Sequence, residues 1–189
     1  MQAPNEKPRP TGGNGGSGAA LGNSNSAGIV PLKVVVENIP EELRTRRQWV
    51  VWRLMVRNGK PSKVPFEAAT GKFAKSNDSA TWCGFDQAVI AYRTQRFDGI
   101  GFVFAEGDGL FGIDLDHVLD PATGLVEPWA AEVVEKFRGT YIERSPSGTG
   151  IRIFCKGRPI RCGKGTLEKR IEVYDHTSPR YLTVTGVPL

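Results

Sequence analysis

The sequence predicts an α+β fold with a mainly antiparallel sheet and flanking helices. Three observations carry that expectation. Short runs rich in β-branched and aromatic residues recur between residues 48 and 187, two amphipathic stretches interrupt them, and turn-forming dipeptides separate them. No internal repeat is present.

The first 31 residues, a Gly/Ser/Asn/Pro mixture, bury too little apolar surface to offset ordering entropy, so a disordered tail is expected, with one folded domain over 32–189. Pro40 followed by Glu41 and Glu42 reads as the first turn of a short helix. Gln48 to Met55 is a strand, Asn58-Gly59 suits a tight hairpin turn, and Lys60 to Phe66 is the returning strand. Phe85, Val89 and Tyr92 recur at helical spacing within Ser79 to Gln95, with Ser79 or Thr81 as the cap. Residues 99–105 and 110–118 read as an antiparallel hairpin around a turn at Glu106 to Gly109. A second helix is expected over Glu127 to Phe137, where Trp129, Val133, Val134 and Phe137 form an apolar face. Strands then follow near 140–144, 150–156, 169–175 and 180–187.

Hydrophobic residues at 39% and charged residues at 24% fit a soluble globular chain, and no apolar run is long enough to span a bilayer. The formal charge of +5 favours an acidic partner such as nucleic acid or nucleotide phosphate. Its distribution sharpens this: Arg44, Arg46, Arg47, Arg53, Arg57, Lys60 and Lys63 fall in one stretch without an acid, and Lys156 to Arg170 forms a second basic cluster. Lys60 and Lys63 are the template-contact candidates on charge, although a solvated hairpin has the same composition. Cys83, Cys155 and Cys162 suit neither a zinc site nor a disulfide set, so reduced thiols in a cytoplasmic setting are expected.

In Gly112-Ile113-Asp114-Leu115-Asp116, strand alternation places both aspartates on one face, their Cα atoms about 6.6 Å apart. Such a face suits a hard cation, Mg²⁺ or Mn²⁺, which takes carboxylate and phosphate oxygens. A solvated strand end explains a bare Asp-x-Asp equally well. Downstream, Ser145 to Gly150 (SPSGTG) is a Gly/Ser turn in which Ser147 and Gly148 could approach an anion, with Arg152 on the next strand as a phosphate contact. A plain hairpin turn is the competing reading. In Arg170 to Asp175, Glu172 has the parity to be a third metal ligand or a salt-bridge partner.

Taken in order, IPEELRTRRQWVVWRL, GKPSKVPF, DGIGFVF, GIDLDH, PATGLVEPWAAEVVEKF, SPSGTGIRIF and IEVYD followed by RYLTVTG resemble the primase-polymerases of the archaeo-eukaryotic primase superfamily. The likeness is to the bifunctional primase/polymerase N-terminal domains of phage, plasmid and mobile-element replication proteins. It implies a catalytic core with an RRM-like sheet and metal-dependent nucleotidyl transfer on a single-stranded DNA template, from deoxy- or ribonucleoside triphosphates. Asp114 and Asp116 match the first metal-binding motif, Glu172 the single acid of the third, and Arg180 a nucleotide-contacting arginine. The second motif usually ends in His; here that position is Arg152, which can hold phosphate but cannot titrate as His does. His117 reads as a packed or outer residue. The family also implies a helicase or initiator partner and further sequence beyond Leu189.

Two other readings remain open at this point. One is a catalytically reduced module that binds single-stranded nucleic acid or nucleotide. The other is a glycosyltransferase-like protein that uses Asp-x-Asp to bind a sugar nucleotide.

Overall fold

The computed structural model describes residues 30–95, 97–159, 163–164, 170–178 and 180–189. The expected N-terminal tail falls almost wholly outside these residues. So do Cys162 and, of the second basic cluster, Arg161 and Lys169.

Two antiparallel sheets form the domain. The first has strand order β2-β1-β3-β9, from β1 (Trp49–Arg57), β2 (Lys60–Phe66), β3 (Gly99–Val103) and β9 (Tyr181–Val184). The second has order β5-β6-β4-β8-β7, from β4 (Leu110–Leu115), β5 (Tyr141–Arg144), β6 (Ile151–Lys156), β7 (Gly163–Lys164) and β8 (Ile171–Tyr174). The helices are α1 (Glu41–Arg44), α2 (Phe85–Thr94) and α3 (Pro128–Lys136). This is the expected α+β arrangement. Among the described residues no helix is long and apolar enough to cross a membrane.

The β1–β2 hairpin forms as its sequence requires: Asn58 (φ 51°) and Gly59 (φ 73°) both adopt the left-handed conformation of a two-residue turn. Alternation then sorts the side chains. Trp49, Val51, Val64, Phe66, Ile100 and Phe102 pack with Phe85, Ala88 and Val89 of α2 in one core. Ile113, Leu115, Ile151 and Ile153 pack with Trp129, Ala130, Val133 and Val134 of α3 in another. Each sheet thus has one face covered by a helix. The other face of the second sheet, carrying Gly112, Phe154 and Tyr174, meets β9 and its surroundings, where Phe104, Leu110, Phe154, Tyr174 and Leu182 pack into the first core.

Three expectations need correction. Residues 99–105 and 110–118 do not pair as a hairpin; β3 lies between β1 and β9, so it has no edge left for β4. Asp108 accepts hydrogen bonds from the Ala105 and Leu110 amides (2.7 and 2.8 Å) and from Gln48 Nε2, and this redirects the chain from one sheet to the other. The strand ending this segment also stops at Leu115, because His117 takes φ 52°. The helix expected from Ser79 begins only at Phe85. Cys83 is held extended by reciprocal backbone bonds with Trp49, while Asp78 caps a separate 3-10 turn over Ser79–Thr81.

Gly112 lets the sheets approach, since a Cβ there would collide with the Leu182 and Phe104 side chains. Gly112→Ala is expected to lower stability by about 1–3 kcal/mol, as overpacking does, in urea unfolding followed by fluorescence. An unchanged midpoint would contradict this close approach.

Candidate active site between the two sheets

Register across the second sheet puts four charged residues side by side. Glu143 on β5 pairs with Arg152 on β6, Arg152 with Asp114 on β4, and Asp114 with Glu172 on β8. Direct cross-strand partners share a face, so the four form one row, −, +, −, −, on the side turned to the first sheet. Asp116 lies just beyond the end of β4, where its amide bonds Arg170 O at 2.9 Å.

A cavity of about 380 Å³ opens between the sheets. Asp114, Asp116, Arg152, Glu172 and Arg180 line it together with Lys63, Tyr181 and Thr183 from the first sheet. The structure therefore brings together six of the residues singled out in the sequence. Ser147 instead lines an adjoining cavity that shares Lys63 and Asp116. Gly148, at φ 75°, lies against Pro121 and Leu32. Lys60 stands exposed at the tip of the hairpin, paired with Arg57 and apart from the acids.

Arg152 is only 3% exposed. Its Nε lies 3.3 Å from Asp114 Oδ1, and Nη1 donates to Thr183 O at 3.3 Å and, closely, to Thr183 Oγ1. Neither Arg152 Nε nor Asp114 Oδ1 has an aligned hydrogen bond, so their attraction is mainly Coulombic. Glu172 is buried and lies 3.8 Å from the half-exposed Arg180, whose guanidinium also sits over the Tyr174 ring. In their present orientations no three His, Cys, Asp or Glu side chains among the described residues converge as metal ligands.

The pKa shifts follow this crowding. Desolvation first, then the Asp114 charge, raises the Asp116 pKa, and Arg152 partly opposes this. Lys63 is exposed at the surface of its strand, yet the cleft walls desolvate its ammonium and Arg152 repels it, so its pKa is lowered despite Asp114 and Asp116. The thiols of Cys83 and Cys155 are buried and pushed up to about 11, which makes them packing groups rather than nucleophiles.

Glu143 escaped the sequence reading. It is fully buried, and its carboxylate accepts from Thr185 N (3.0 Å to each oxygen), Gly186 N (2.8 Å) and Tyr141 Oη (2.6 Å). These bonds clamp the segment after β9 onto β5 and so join the two sheets. The only hint in the sequence was parity, which puts Tyr141 and Glu143 on one face.

The Ser145–Gly150 turn is chiefly a brace. Gly148 N and Gly150 N bond within the turn, the Ser145, Ser147 and Thr149 hydroxyls bond one another, and Thr149 O accepts from Val118 and Leu119. His117 is exposed rather than packed and approaches Thr149 Oγ1 at 3.5 Å. Of the first basic stretch, Arg53 lies over Phe66 and Phe97, Arg57 over Phe73, and Arg46 pairs with Glu42. Much of that charge thus has structural partners.

Relatedness supports the family resemblance read from the sequence. The chain is similar to the DNA primase-polymerase of Nitratiruptor phage NrS-1, with 33% identity over 143 residues, or 74% of this chain. It carries a primase-polymerase domain. The match spans 19% of that phage protein. No protein-family model matches the chain.

Burial raises the Glu143 pKa from 4.5 to about 7, outweighing its hydrogen bonds. The native state then holds a proton that the unfolded chain releases, so stability should fall as pH rises from about 4.5 to 7. Glu143→Gln is expected to flatten that slope, leaving the same-signed contribution of Asp116, as measured by urea unfolding across this range. An unchanged slope would show that Glu143 titrates normally.

Proposed function

We propose that the domain carries out metal-dependent, template-directed nucleotidyl transfer in DNA replication, as primer synthesis or primer extension. The observation that carries this reading is the convergence of Asp114, Asp116 and Glu172 with Lys63 and Arg180 around one cleft. The relative's name supplies the reaction class.

The carboxylates suit Mg²⁺ or Mn²⁺. Asp114 and Glu172 are direct neighbours of like charge, and the Asp116 pKa is raised by desolvation and then by the Asp114 charge, as where carboxylates crowd together. Asp114, Asp116 and Glu172 would hold the metal, which would promote ionisation of the attacking 3′-hydroxyl and stabilise the departing pyrophosphate. The remaining roles fall to the chain itself. Lys63 and Arg180 line the cleft together with the acids and would hold the triphosphate oxygens; Arg180 would turn from Glu172 to do so. Lys60, at the hairpin tip, would contact the phosphates of single-stranded template. The shared cavity wall at Ser147 would border the nucleotide. A helicase or initiator partner belongs to the same reading.

A non-catalytic module that binds single-stranded DNA is the second reading. What favours it is the engagement of Arg152 by Asp114 and Thr183, together with carboxylates not yet gathered as ligands. A sugar-nucleotide transferase has no support from the relationship and gives Lys63 no role.

Incorporation of labelled nucleotide on single-stranded and primed templates with Mg²⁺ or Mn²⁺ separates the readings. The Asp114→Ala/Asp116→Ala protein is expected to lose at least about a thousandfold in rate, as removal of metal-ligating groups does. Equal product from both proteins would refute the assignment, and template binding without product from either would select the non-catalytic module. Lys63→Ala is expected to weaken triphosphate binding about tenfold, the loss of one charged hydrogen-bonding contact, in a nucleotide titration. Unchanged affinity would remove Lys63 from the site.

A further inference from the structure

The charge row contains a cation of its own. Arg152 is buried, tied to the first sheet through Thr183, and placed between two acids, Glu143 on one neighbouring strand and Asp114 on the other. It thereby neutralises one side of Asp114. The like-charge step left in the row lies on the other side, between Asp114 and Glu172, with Asp116 close by. Counter-charge is thus built into the sheet at one end of the acid cluster, while at the other it comes from the half-exposed Arg180, 3.8 Å from Glu172.

We infer that Arg152 is a built-in cation standing where a second divalent ion would otherwise sit on Asp114, so that the nucleotide-free acid cluster takes one exchangeable divalent cation rather than two. This rests on the metal-dependent reading above. Three features distinguish Arg152 from a residue awaiting phosphate. It is almost wholly buried, its Nη1 is committed to Thr183, and its Nε faces the buried, otherwise unbonded oxygen of Asp114. Moving it to a ligand would leave that carboxylate without its counter-charge, a costly state in a dry site. The exchangeable ion would then depend most on Asp116 and Glu172, with Asp114 shared between ion and guanidinium.

Mn²⁺ titration followed by electron paramagnetic resonance, on the protein without nucleotide, tests this directly and needs no catalysis. Wild type is expected to bind one Mn²⁺ at the cluster, and Asp116→Asn to lose it. Arg152→Met removes the charge while keeping an unbranched side chain; it is expected to bind two, or to bind the first about tenfold more tightly, given the strength of a close charge repulsion in a partly screened site. Arg152→Lys retains the charge and should stay at one, which separates charge from packing. Melting curves confirm that each variant is folded; if Arg152→Met is not, Arg152→Gln takes its place. Two ions in wild type, or identical binding by the charge-free and lysine variants, would overturn the role of Arg152 while leaving metal binding intact. No Mn²⁺ bound, or binding indifferent to Asp116→Asn, would overturn the metal reading and this inference with it.

Discussion

Four charged side chains in register across a sheet, largely sealed by a second sheet, constrain everything around them. Isolated ions in such a place would cost several kcal/mol each, so every one must find a partner or a proton. Glu143 has three donors and a raised pKa, Arg152 has Thr183 and Asp114, and Glu172 has Arg180 at the rim. Asp114 and Glu172 stand side by side with like charge, and that is where the cleft opens.

The rest of the fold supplies the two faces that make such a row possible. α2 packs on one sheet and α3 on the other, and the second sheet's remaining face carries the charge row beside the apolar Leu110, Phe154 and Tyr174. Glycine sets the spacing. Gly112 admits Leu182 and Phe104, and Gly101 lies under the Tyr181 ring, whose hydroxyl donates to Lys63 O at 2.8 Å. Tyr181 thereby ties the strand carrying Lys63 to the strand carrying Thr183, and the Glu143 clamp ties that strand's far end to the acidic sheet. Side chains on both walls are positioned by the same few bonds.

Much of this was legible locally. The Asn58-Gly59 hairpin, the α3 face and the strands near 140–144, 150–156 and 169–175 follow from turn chemistry and periodicity, and alternation within each strand set Asp114 apart from Ile113 and Leu115, and Glu172 from Ile171 and Val173. What sequence could not supply was which strands neighbour one another. Residues 99–103 and 110–115 look like a hairpin because local pattern does not reveal that β1 and β9 already occupy both edges of β3. The same limit hid Glu143, an ordinary strand acid until Thr185 and Gly186 are brought to it from 42 or more residues away. Nor does anything local announce the bond of Arg152 to Thr183.

The arrangement of metal and nucleotide in the cleft is best tested by diffraction from crystals grown with Mn²⁺ and a non-hydrolysable deoxynucleoside triphosphate, using the anomalous signal of manganese. Density for Mn²⁺ among Asp114, Asp116 and Glu172, with the triphosphate extending to Lys63 and Arg180, is the expected result. A nucleotide lodged elsewhere, such as the apolar groove lined by Leu43, Phe111, Phe137 and Phe154, with no manganese at the acids, would contradict it.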